Sequence, residues 1–544
     1  MKKRTMKAAA VFLTAAMVSV MAAGCAGSGD SNGNGNGDKS ASNGDNTINI
    51  LFNGAKEKGW DEIYAKYLEE TKDTLGVNLN ITWVEPADYK EKLNLVMMGG
   101  DDYDLVFDAP WCHLRDLAAD HYYADLSSYF NNEEYPGLKK AFSKQVMENN
   151  KWYGSQCYIP LMRTYGTGVP AVHYRKDWAK KWGIGTDGQI ESMEDLTAYW
   201  EKAKENNILP LSVTDTRGFY ELLPYNQNMT KAGIQMFKAA NLTIYVYIKD
   251  NKVQAMAAEG AGDEAFKNFP EPFNFDFGAK RYEEFTKWQK AGYISADSMT
   301  IKDADTPFYA GEAASEIGTL DDTTKIVTNL KQYSPEAEYG FFIYVDQVRN
   351  MEDGAITTVF TANNGLCIPA SSKKIDKTMK FLDWMFGDAA NHDLFELGIE
   401  GTDWKPVGED QYQSITSYPD NFHGYAFTWN PNYVRFSDTL PKEALKYRLW
   451  ELKESSFQAA PVSGFNFNTS DVELSTTIAQ VKTVTDRITT IKLHGILNDG
   501  TKEYASAKEM LKSNTDEAMK NGGEEIFKAL EAQINEFLSE KAKQ

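Results

Sequence analysis

The spacing of apolar residues alternates between two periods at the start of the folded chain. Residues 47–53 (TINILFN) form a short, mainly apolar run, and residues 77–84 (VNLNITWV) alternate between apolar and polar positions, so both predict β-strands. Residues 60–75 lie between them and carry apolar side chains three and four positions apart, which predicts an α-helix.

A second helix and a third strand continue this pattern. Pro86 suits the first position of a helix, Gly99-Gly100 suits its end, and residues 104–107 (DLVF) predict the next strand. The order β-α-β-α-β predicts an α/β fold with a parallel sheet covered by helices. Ligands bind at the carboxyl ends of the strands in such sheets, which here are the loops at residues 53–60 and 108–111.

The end of the chain returns to the helical period, which predicts a helical C-terminal region over residues 461–544. The apolar residues that recur at helical spacing are Ile526, Phe527, Leu530, Ile534, Phe537 and Leu538. The pattern does not indicate which part of the fold this region packs on.

The first 25 residues have the organisation of an export signal. Four cations precede residues 8–23, an uncharged and mainly apolar run that is shorter than the ~20 residues of a membrane span. The run closes on Ala22-Ala23-Gly24-Cys25, which resembles a bacterial lipoprotein signal. That resemblance implies removal of residues 1–24 and lipidation of Cys25, and the alternative is an ordinary secretory signal with an incidental cysteine.

The lipidated Cys25 and the stretch up to residue 46 are expected to join the anchor to the folded body. Residues 26–46 contain six Gly, five Asn and four Ser and no large apolar side chain, so they predict a flexible tether with a span of about 25 Å. No later segment approaches the ~18 consecutive apolar residues of a membrane span.

Composition excludes several classes of protein. The chain has 57 Lys and Arg against 78 Asp and Glu, and its net charge of −21 would repel a phosphate backbone, so no nucleic-acid partner is expected. Removal of residues 1–24 takes away four cations and brings the charge to −25. Cys112, Cys157 and Cys367 allow at most one disulfide, and neither they nor the six His have the spacing of a metal site. No metal and no cofactor are expected.

Several segments follow one another in an order typical of a known family. They are NGAKEKGW (53–60), YKEKLNLVMMGGDDYDLVF (89–107), YYADLSSYF (122–130), KWYGSQCYIPLMRTYGTGVPAVHYRKDW (151–178), FYAGEAASEIGTLDD (308–322) and GLCIPASSKKIDKTMKFLDWMFG (365–387). Together they resemble the extracellular solute-binding proteins of family 1, the sugar-capturing components of ABC importers. GIEGTDWKPV (398–407) and GFNFN (464–468) resemble a lipoprotein subgroup of that family with a distinctive C-terminal domain.

The resemblance implies an α/β, two-lobe fold of the type II periplasmic-binding-protein kind. Its parallel-sheet lobes are joined by crossing strands and close about a ligand. We expect one lobe at residues 47–165 and 348–400 and the other at 166–347 and 401–460, with the helical region 461–544 following.

A sugar cleft needs flat apolar faces for C–H surfaces and polar groups for hydroxyls that lose water. The candidates in the first lobe lie in the two strand-end loops and on the first crossing: Asn53, Lys56, Trp60, Asp108, Trp111, Arg163 and Tyr165. The alternative for Trp60 is a core position at the start of a helix, and for Arg163 and Tyr165 it is a structural role in the hinge.

The remaining candidates lie in polar and aromatic loops. They are Arg217 and Glu221 in TDTRGFYELLP, Asp321 in GTLDD, Trp404 in GTDWKP and Trp429 in TWNPNY. Tryptophans in loops are less often simple core residues than those in helices. The alternative for Arg217 and Glu221 is an exposed turn held by a salt bridge.

We therefore expect a lipoprotein, not an enzyme, that captures a carbohydrate and delivers it to the permease subunits of an ABC transporter. The ligand is expected to be a neutral oligosaccharide of a few units. The protein is expected to be a monomer on the extracellular face of the cell membrane. The alternatives are a surface sugar sensor or adhesin and a secreted glycoside hydrolase, whose carboxylate pair cannot be identified from sequence among 78 acids.

Overall fold

The structure is a computed structural model, and it describes residues 46–542 apart from 167, 220–221, 223–225, 417–421, 423 and 425–428. The export signal, Cys25, most of the tether and Glu221 lie outside the described residues. Within the described part of the chain, no helix combines the length and the apolar character that a bilayer span requires.

The strands are β1 (Thr47–Asn53), β2 (Asn78–Val84), β3 (Leu105–Asp108), β4 (Ile159–Leu161), β5 (Pro170–Arg175), β6 (Leu209–Ser212), β7 (Ile234–Ala239), β8 (Leu242–Lys249), β9 (Lys252–Ala258), β10 (Ala313–Thr319), β11 (Tyr339–Phe342), β12 (Ile356–Thr358), β13 (Asn364–Cys367), β14 (Trp404–Val407), β15 (Gln411–Ser414), β16 (Phe436–Ser437) and β17 (Phe457–Ala459).

The helices are α1 (Trp60–Thr71), α2 (Pro86–Gly99), α3 (Leu114–Ala119), α4 (Pro136–Ala141), α5 (Lys144–Asn149), α6 (Lys176–Trp182), α7 (Met193–Glu205), α8 (Asn226–Lys231), α9 (Asp263–Phe266), α10 (Phe277–Lys290), α11 (Asp305–Tyr309), α12 (Thr323–Tyr333), α13 (Asp346–Arg349), α14 (Ile375–Gly387), α15 (Ala389–Glu396), α16 (Lys442–Glu451), α17 (Val472–Leu493), α18 (Ala507–Ala518) and α19 (Glu524–Lys541).

The first sheet has the strand order β2-β1-β3-β13-β4. β1 pairs in parallel with β2 and β3, whereas β13 runs antiparallel to both β3 and β4. Ile48, Ile50, Leu51 and Phe52 of β1 are all buried, because a parallel sheet is covered on both faces. The expected β-α-β-α-β start is confirmed.

The second sheet has the order β11-β5-β10-β6. β5 runs antiparallel to β10 and β11, and β6 runs parallel to β10. The carboxyl ends of β6, β10 and β11 therefore lie at the same edge as the start of β5. The fold is thus mixed α/β with two separate main sheets, as expected.

Three segments connect the two sheets. Residues 162–169 run from β4 to β5, and residues 343–363, which include β12, run from β11 to β13. The third segment, residues 438–460, runs from β16 through α16 to β17, and β17 pairs in parallel with β12. The Tyr165 carbonyl on the first segment accepts a 2.7 Å hydrogen bond from Thr358 on the second, so the segments form one joined hinge region.

The described part of residues 404–437 packs on the first lobe, which differs from the expected boundary at residues 401–460. Tyr433 donates to the Gly387 carbonyl at the end of α14, and Arg435 pairs with Asp393 of α15 at 2.7 Å. α16 follows and packs on the second lobe, where the Tyr447 ring meets that of Phe341 on β11 at a centroid distance of 5.9 Å. The chain therefore returns to the second lobe only near residue 442.

The C-terminal helices α17–α19 pack on the β7-β8-β9 sheet of the second lobe. Ile526, Leu530 and Ile534 of α19 are fully buried in a core shared with Ile244 and Val246 of β8. Beside this core, buried Glu259 at the end of β9 contacts Arg281 of α10 and Lys492 of α17. The predicted apolar face is confirmed, and the lobe it covers is now identified.

Candidate functional site

The carboxyl edges of the two sheets lie at opposite ends of the crossing segments. The first edge contains the ends of β1, β3 and β4 and the start of β13, and the second contains the ends of β6, β10 and β11 and the start of β5. The first two crossing segments each run from one edge to the other. Side chains in the loops at both edges therefore converge on the hinge region, and most of the expected ligand contacts are in these loops.

Trp111 presents a partly free aromatic surface at the first edge. It follows β3 and is 54% exposed. Its indole N–H donates to Asn364 Oδ1 at 3.2 Å, and its ring centroid lies 6.1 Å from that of Phe107. The sequence placed Trp111 in this loop, and the exposed ring fits a stacking role.

Asp108 stands beside Trp111 in sequence but its carboxylate is fully buried. Oδ1 accepts from the backbone N–H of Ala109 at 2.7 Å and of His113 at 3.0 Å, and Oδ2 accepts from the Tyr123 hydroxyl at 2.6 Å. Burial raises the pKa of this carboxyl, and these hydrogen bonds oppose the rise. The expectation that Asp108 projects towards a ligand does not match this geometry.

The loop after β1 holds the candidates Asn53, Lys56 and Trp60. Trp60 is only 5% exposed, and its ring stacks on that of Tyr64 with centroids 5.9 Å apart, so the core alternative fits it better. Lys56 is exposed and pairs with Asp61 at 2.7 Å. Among the residues that the structure describes, the buried Oδ1 of Asn53 has no hydrogen-bond partner.

Arg163 and Trp429 meet at the end of β4. The Arg163 guanidinium lies 4.9 Å from the Trp429 ring centroid and donates to Glu396 at 2.5 Å. The backbone also joins here, because Met162 N–H donates to the Trp429 carbonyl at 3.2 Å. About half of the Arg163 side chain remains exposed, so this group offers a charged donor beside an aromatic face.

Tyr165 and Trp404 have structural surroundings. The Tyr165 ring packs on Phe360 and Phe457 in the hinge region, and burial raises the pKa of its hydroxyl to about 12. Trp404 is 4% exposed and donates its indole N–H to the Gly398 carbonyl at 3.1 Å. Neither ring offers an open face comparable to that of Trp111.

A cavity of about 750 Å³ lies at the second edge, within the ~300–1,000 Å³ typical of small-molecule pockets. All three crossing segments line it, with Gly168, Thr358 and Ala460 among the lining residues. Its charged lining residues are Arg217, Lys238 and Asp322. Arg217 donates to the Ile317 carbonyl at 2.9 Å, which holds the guanidinium against the end of β10.

A smaller inner chamber of about 90 Å³ lies behind this cavity and shares Arg217 with it. The ionisable residues that line the inner chamber are His173, Arg217, Asp305, Tyr309, Glu316, Asp322 and Lys325. Burial and the neighbouring Asp305 carboxylate raise the pKa of Glu316 to about 9, and burial lowers the pKa of His173 to about 4. Both side chains are therefore neutral at pH 7, which lowers the cost of burying them.

Asp321 follows β10 but contacts Arg448 of α16 instead of the 750 Å³ cavity. Arg448 is buried and also contacts Glu451, whose pKa burial raises to about 8. Glu451 in turn accepts from the Val169 N–H on the first crossing segment at 3.3 Å. These contacts hold α16 against the end of β10 and the start of β5.

The described residues contain no cluster of three or more His, Cys, Asp or Glu suited to a metal ion. Cys112, Cys157 and Cys367 are free and buried, and burial raises the pKa of each thiol. Thiolate chemistry at these positions is therefore disfavoured.

The comparison that decides the family is a match to the model of the bacterial extracellular solute-binding proteins over residues 54–392. The chain belongs to this family.

Two curated relatives cover most of the chain. A carbohydrate ABC transporter substrate-binding protein of Streptococcus pneumoniae is 22% identical, with 97% of this chain and 98% of the relative covered. Lipoprotein LipO of Bacillus subtilis is 24% identical over 81% of each chain. Among solved structures, the N-glycan transport solute binding protein NgtS of S. pneumoniae shares the fold with a TM-score of 0.65 and 18% identity, covering 91% of this chain and 99% of that one.

Sequence reasoning missed several residues at the edges of this solute-binding fold. Asn364 accepts a hydrogen bond from Trp111, and Glu396 accepts one from Arg163. Lys238 and Asp322 line the cavity of about 750 Å³. Asp322 directly follows the predicted Asp321, so the GTLDD motif could have indicated it. Asn364 and Lys238 lie in strands, where polar residues carry no distinct signal for a site.

Proposed function

We propose that this member of the solute-binding family captures an oligosaccharide outside the cell and delivers it to the permease of an ABC transporter. The observation that carries the proposal is the meeting of two sheet edges at one hinge region in a chain of this family. The relatives support the ligand class, because one is named for carbohydrate and NgtS has been solved in complex with Man1GlcNAc.

Exposed side chains at the two edges supply the chemistry for a sugar. Trp111 and Trp429 offer faces for C–H surfaces, and Arg163 and Arg217 offer donors for hydroxyls. Asp108, Trp60 and Trp404 are buried, so direct contacts of these three side chains with the ligand are not proposed.

A neutral oligosaccharide suits the charges better than an acidic one. Arg163 is already paired with Glu396, and the mature chain would carry a net charge of −25, which disfavours approach of an anionic polymer. A single sugar unit would leave much of the cavity of about 750 Å³ empty. We therefore propose a neutral chain of a few units, bound by one monomer.

Capture is proposed to be reversible and to leave the ligand unchanged. The three crossing segments allow the lobes to close about the ligand, as in other hinged binding proteins. The closed form would dock on the permease subunits, and their associated ATPase would supply the energy for transport.

Thermal unfolding of the Cys25→Ser chain against a panel of neutral and acidic glycans tests this proposal. A ligand that binds only the folded state raises its stability by RT ln(1 + [L]/Kd), so neutral oligosaccharides should raise Tm and monosaccharides should raise it less. Chromatography of the same mixtures should show unaltered glycan. Cleaved glycan would support a hydrolase instead, and a panel without any Tm shift would count against carbohydrate binding.

The anchor has a separate test. We propose lipid attachment at Cys25 and a location on the extracellular face of the cell membrane, supported by the motif before Cys25 and by the LipO relative. The Cys25→Ser chain should appear in the culture medium or periplasm in soluble form. Retention of that chain in the membrane fraction would show that another attachment exists.

A further inference from the structure

The loop that carries Trp111 is closed by a single carboxylate. Asp108 Oδ1 accepts from the N–H groups of Ala109 and His113, at the two ends of the loop. Within the loop, Cys112 N–H donates to the Ala109 carbonyl at 2.8 Å. Removing the carboxylate would leave buried N–H groups without partners, which favours a change in loop conformation.

The Trp111 ring has its own contacts, which differ from those that close the loop. Its N–H donates to Asn364 Oδ1 on β13, and Phe107 supports the ring at an interplanar angle of 49°. A tryptophan that is 54% exposed would otherwise sample several rotamers. The backbone end is thus fixed by Asp108 and the ring end by Asn364.

We propose that Asp108 and Asn364 are positioning residues that preorganise Trp111 as a stacking surface for the ligand. Asp108 does this without touching the ligand, because its carboxylate is fully buried and both oxygens are engaged. Preorganisation removes the cost of ordering the ring during binding and so increases affinity. The ligand part of this inference rests on the proposed function, whereas the positioning part concerns the free protein.

Conservative replacements separate positioning from direct contact. Asp108→Asn keeps an oxygen for the two backbone N–H groups, and its amide can donate to Tyr123, whose hydroxyl then accepts. Asp108→Ala removes every acceptor. Asn364→Asp likewise keeps an acceptor for the indole N–H, and Asn364→Leu does not. If Asp108 and Asn364 act through an acceptor oxygen, Asp108→Asn and Asn364→Asp should behave like the parent chain. The variants without an acceptor should not.

The positioning test uses the ligand-free Cys25→Ser chain labelled with 5-fluorotryptophan. The chain has 12 Trp, and the Trp111 resonance is the one that disappears in Trp111→Phe. Asp108→Ala and Asn364→Leu should shift and broaden this resonance, while Asp108→Asn and Asn364→Asp should leave it near its original position. The matched control is Asp125→Ala, because Asp125 also accepts from a backbone N–H, that of Ser127 at 2.9 Å, in a loop without a candidate residue. An unchanged Trp111 resonance in Asp108→Ala would overturn the proposal.

The affinity test uses the glycan that gives the largest Tm shift with the parent chain. Asp108→Ala and Asn364→Leu should weaken binding about tenfold, and their conservative partners should stay within about threefold of the parent. Equal losses in Asp108→Asn and Asp108→Ala would show that the charge of Asp108 acts on the ligand and would overturn its positioning role. If no glycan binds the parent chain, the proposed function fails, and the fluorine spectra still decide whether Trp111 is positioned.

Discussion

The edge of the first sheet and the inner chamber behind the second edge differ in how their buried polar groups are stabilised. Asp108 accepts three hydrogen bonds and Arg163 is paired with Glu396. In the inner chamber, burial and the neighbouring Asp305 raise the pKa of Glu316. His173 contacts the Tyr339 hydroxyl through Nδ1 at 2.8 Å, and its buried Nε2 has no hydrogen-bond partner within the described residues. The first edge therefore offers a preformed surface, and the second depends on its buried groups staying neutral.

The largest expected effect of a single change is at the first edge. Trp111→Ala removes a stacking face and should weaken oligosaccharide binding by about 2 kcal/mol or more, as for an interface hot spot. Titration calorimetry measures this loss of binding free energy. Tyr153→Ala is the control, because Tyr153 is an exposed aromatic residue outside the site, at 64% exposure. Equal affinity of Trp111→Ala and Tyr153→Ala would remove the first edge from the binding surface.

The second edge should be the pH-sensitive one. The native state keeps a proton on Glu316 up to about pH 9, whereas the ordinary glutamate pKa is 4.5. The unfolded chain therefore binds fewer protons between these values, and this group makes the free energy of unfolding fall as pH rises, by at most about 1.4 kcal/mol per pH unit. Glu316→Gln cannot ionise and should remove that fall.

Urea unfolding between about pH 6 and 8 tests this expectation as a difference between Glu316→Gln and the parent chain. The free energy of unfolding of Glu316→Gln, relative to that of the parent chain, should increase as pH rises. His173→Gln is the opposite control and is measured between about pH 4 and 6.5: burial lowers the pKa of His173 from 6.5 to about 4, so the stability it contributes is lost as pH falls through that range. The other charged or titratable groups facing Glu316 are Arg217, Asp305, Tyr309, Asp322 and Lys325. A difference that does not change with pH would contradict an ionisable, buried Glu316.

Arg217 gives a moderate expected effect at the second edge. Arg217→Met removes a donor from the lining of the cavity and should weaken binding of a neutral oligosaccharide by about 1 kcal/mol, the scale of one hydrogen bond. Lys331→Met, which removes a cation on α12 outside the cavity, should have no effect on calorimetric affinity. A strong preference of Arg217→Met for neutral over acidic glycans, absent in the parent, would instead assign Arg217 to recognition of acidic sugars.

The smallest expected effect is at Lys56. Its pair with Asp61 is exposed on both sides, with 47% and 77% of the side chains accessible, so Lys56→Ala should change the free energy of unfolding by about 0.5 kcal/mol or less. Asp61→Ala is the matched variant. A large loss of glycan affinity in Lys56→Ala alone would keep Lys56 among the ligand contacts.

The early part of the fold could be predicted because its signals are local. α2 begins at Pro86, and it ends where Gly100 adopts a positive φ of 71° and donates to the Val96 carbonyl. Burial of every fourth residue in α19 also follows from local spacing. These features depend on side chains within one or two helical turns, which the sequence displays directly.

The parts that could not be predicted depend on distant contacts. The described part of residues 404–437 packs on the first lobe through Tyr433 and Arg435, whose partners are more than forty residues away. The burial of Asp108 depends on Tyr123, and the orientation of Trp111 depends on Asn364, 253 positions later. A strand-end position indicates the edge of a sheet, but not whether the side chain points out of it.

The position of β13 has a consequence for how the chain folds. β13 lies between β3 and β4 but is synthesised after all of the second sheet. β4 therefore stays without its partner β13 during synthesis until residue 367 has emerged, whereas β1, β2 and β3 can already pair with one another. Pairings between segments so far apart in sequence form slowly. Completion of the first sheet is therefore expected late in folding, after all strands of the second sheet are available.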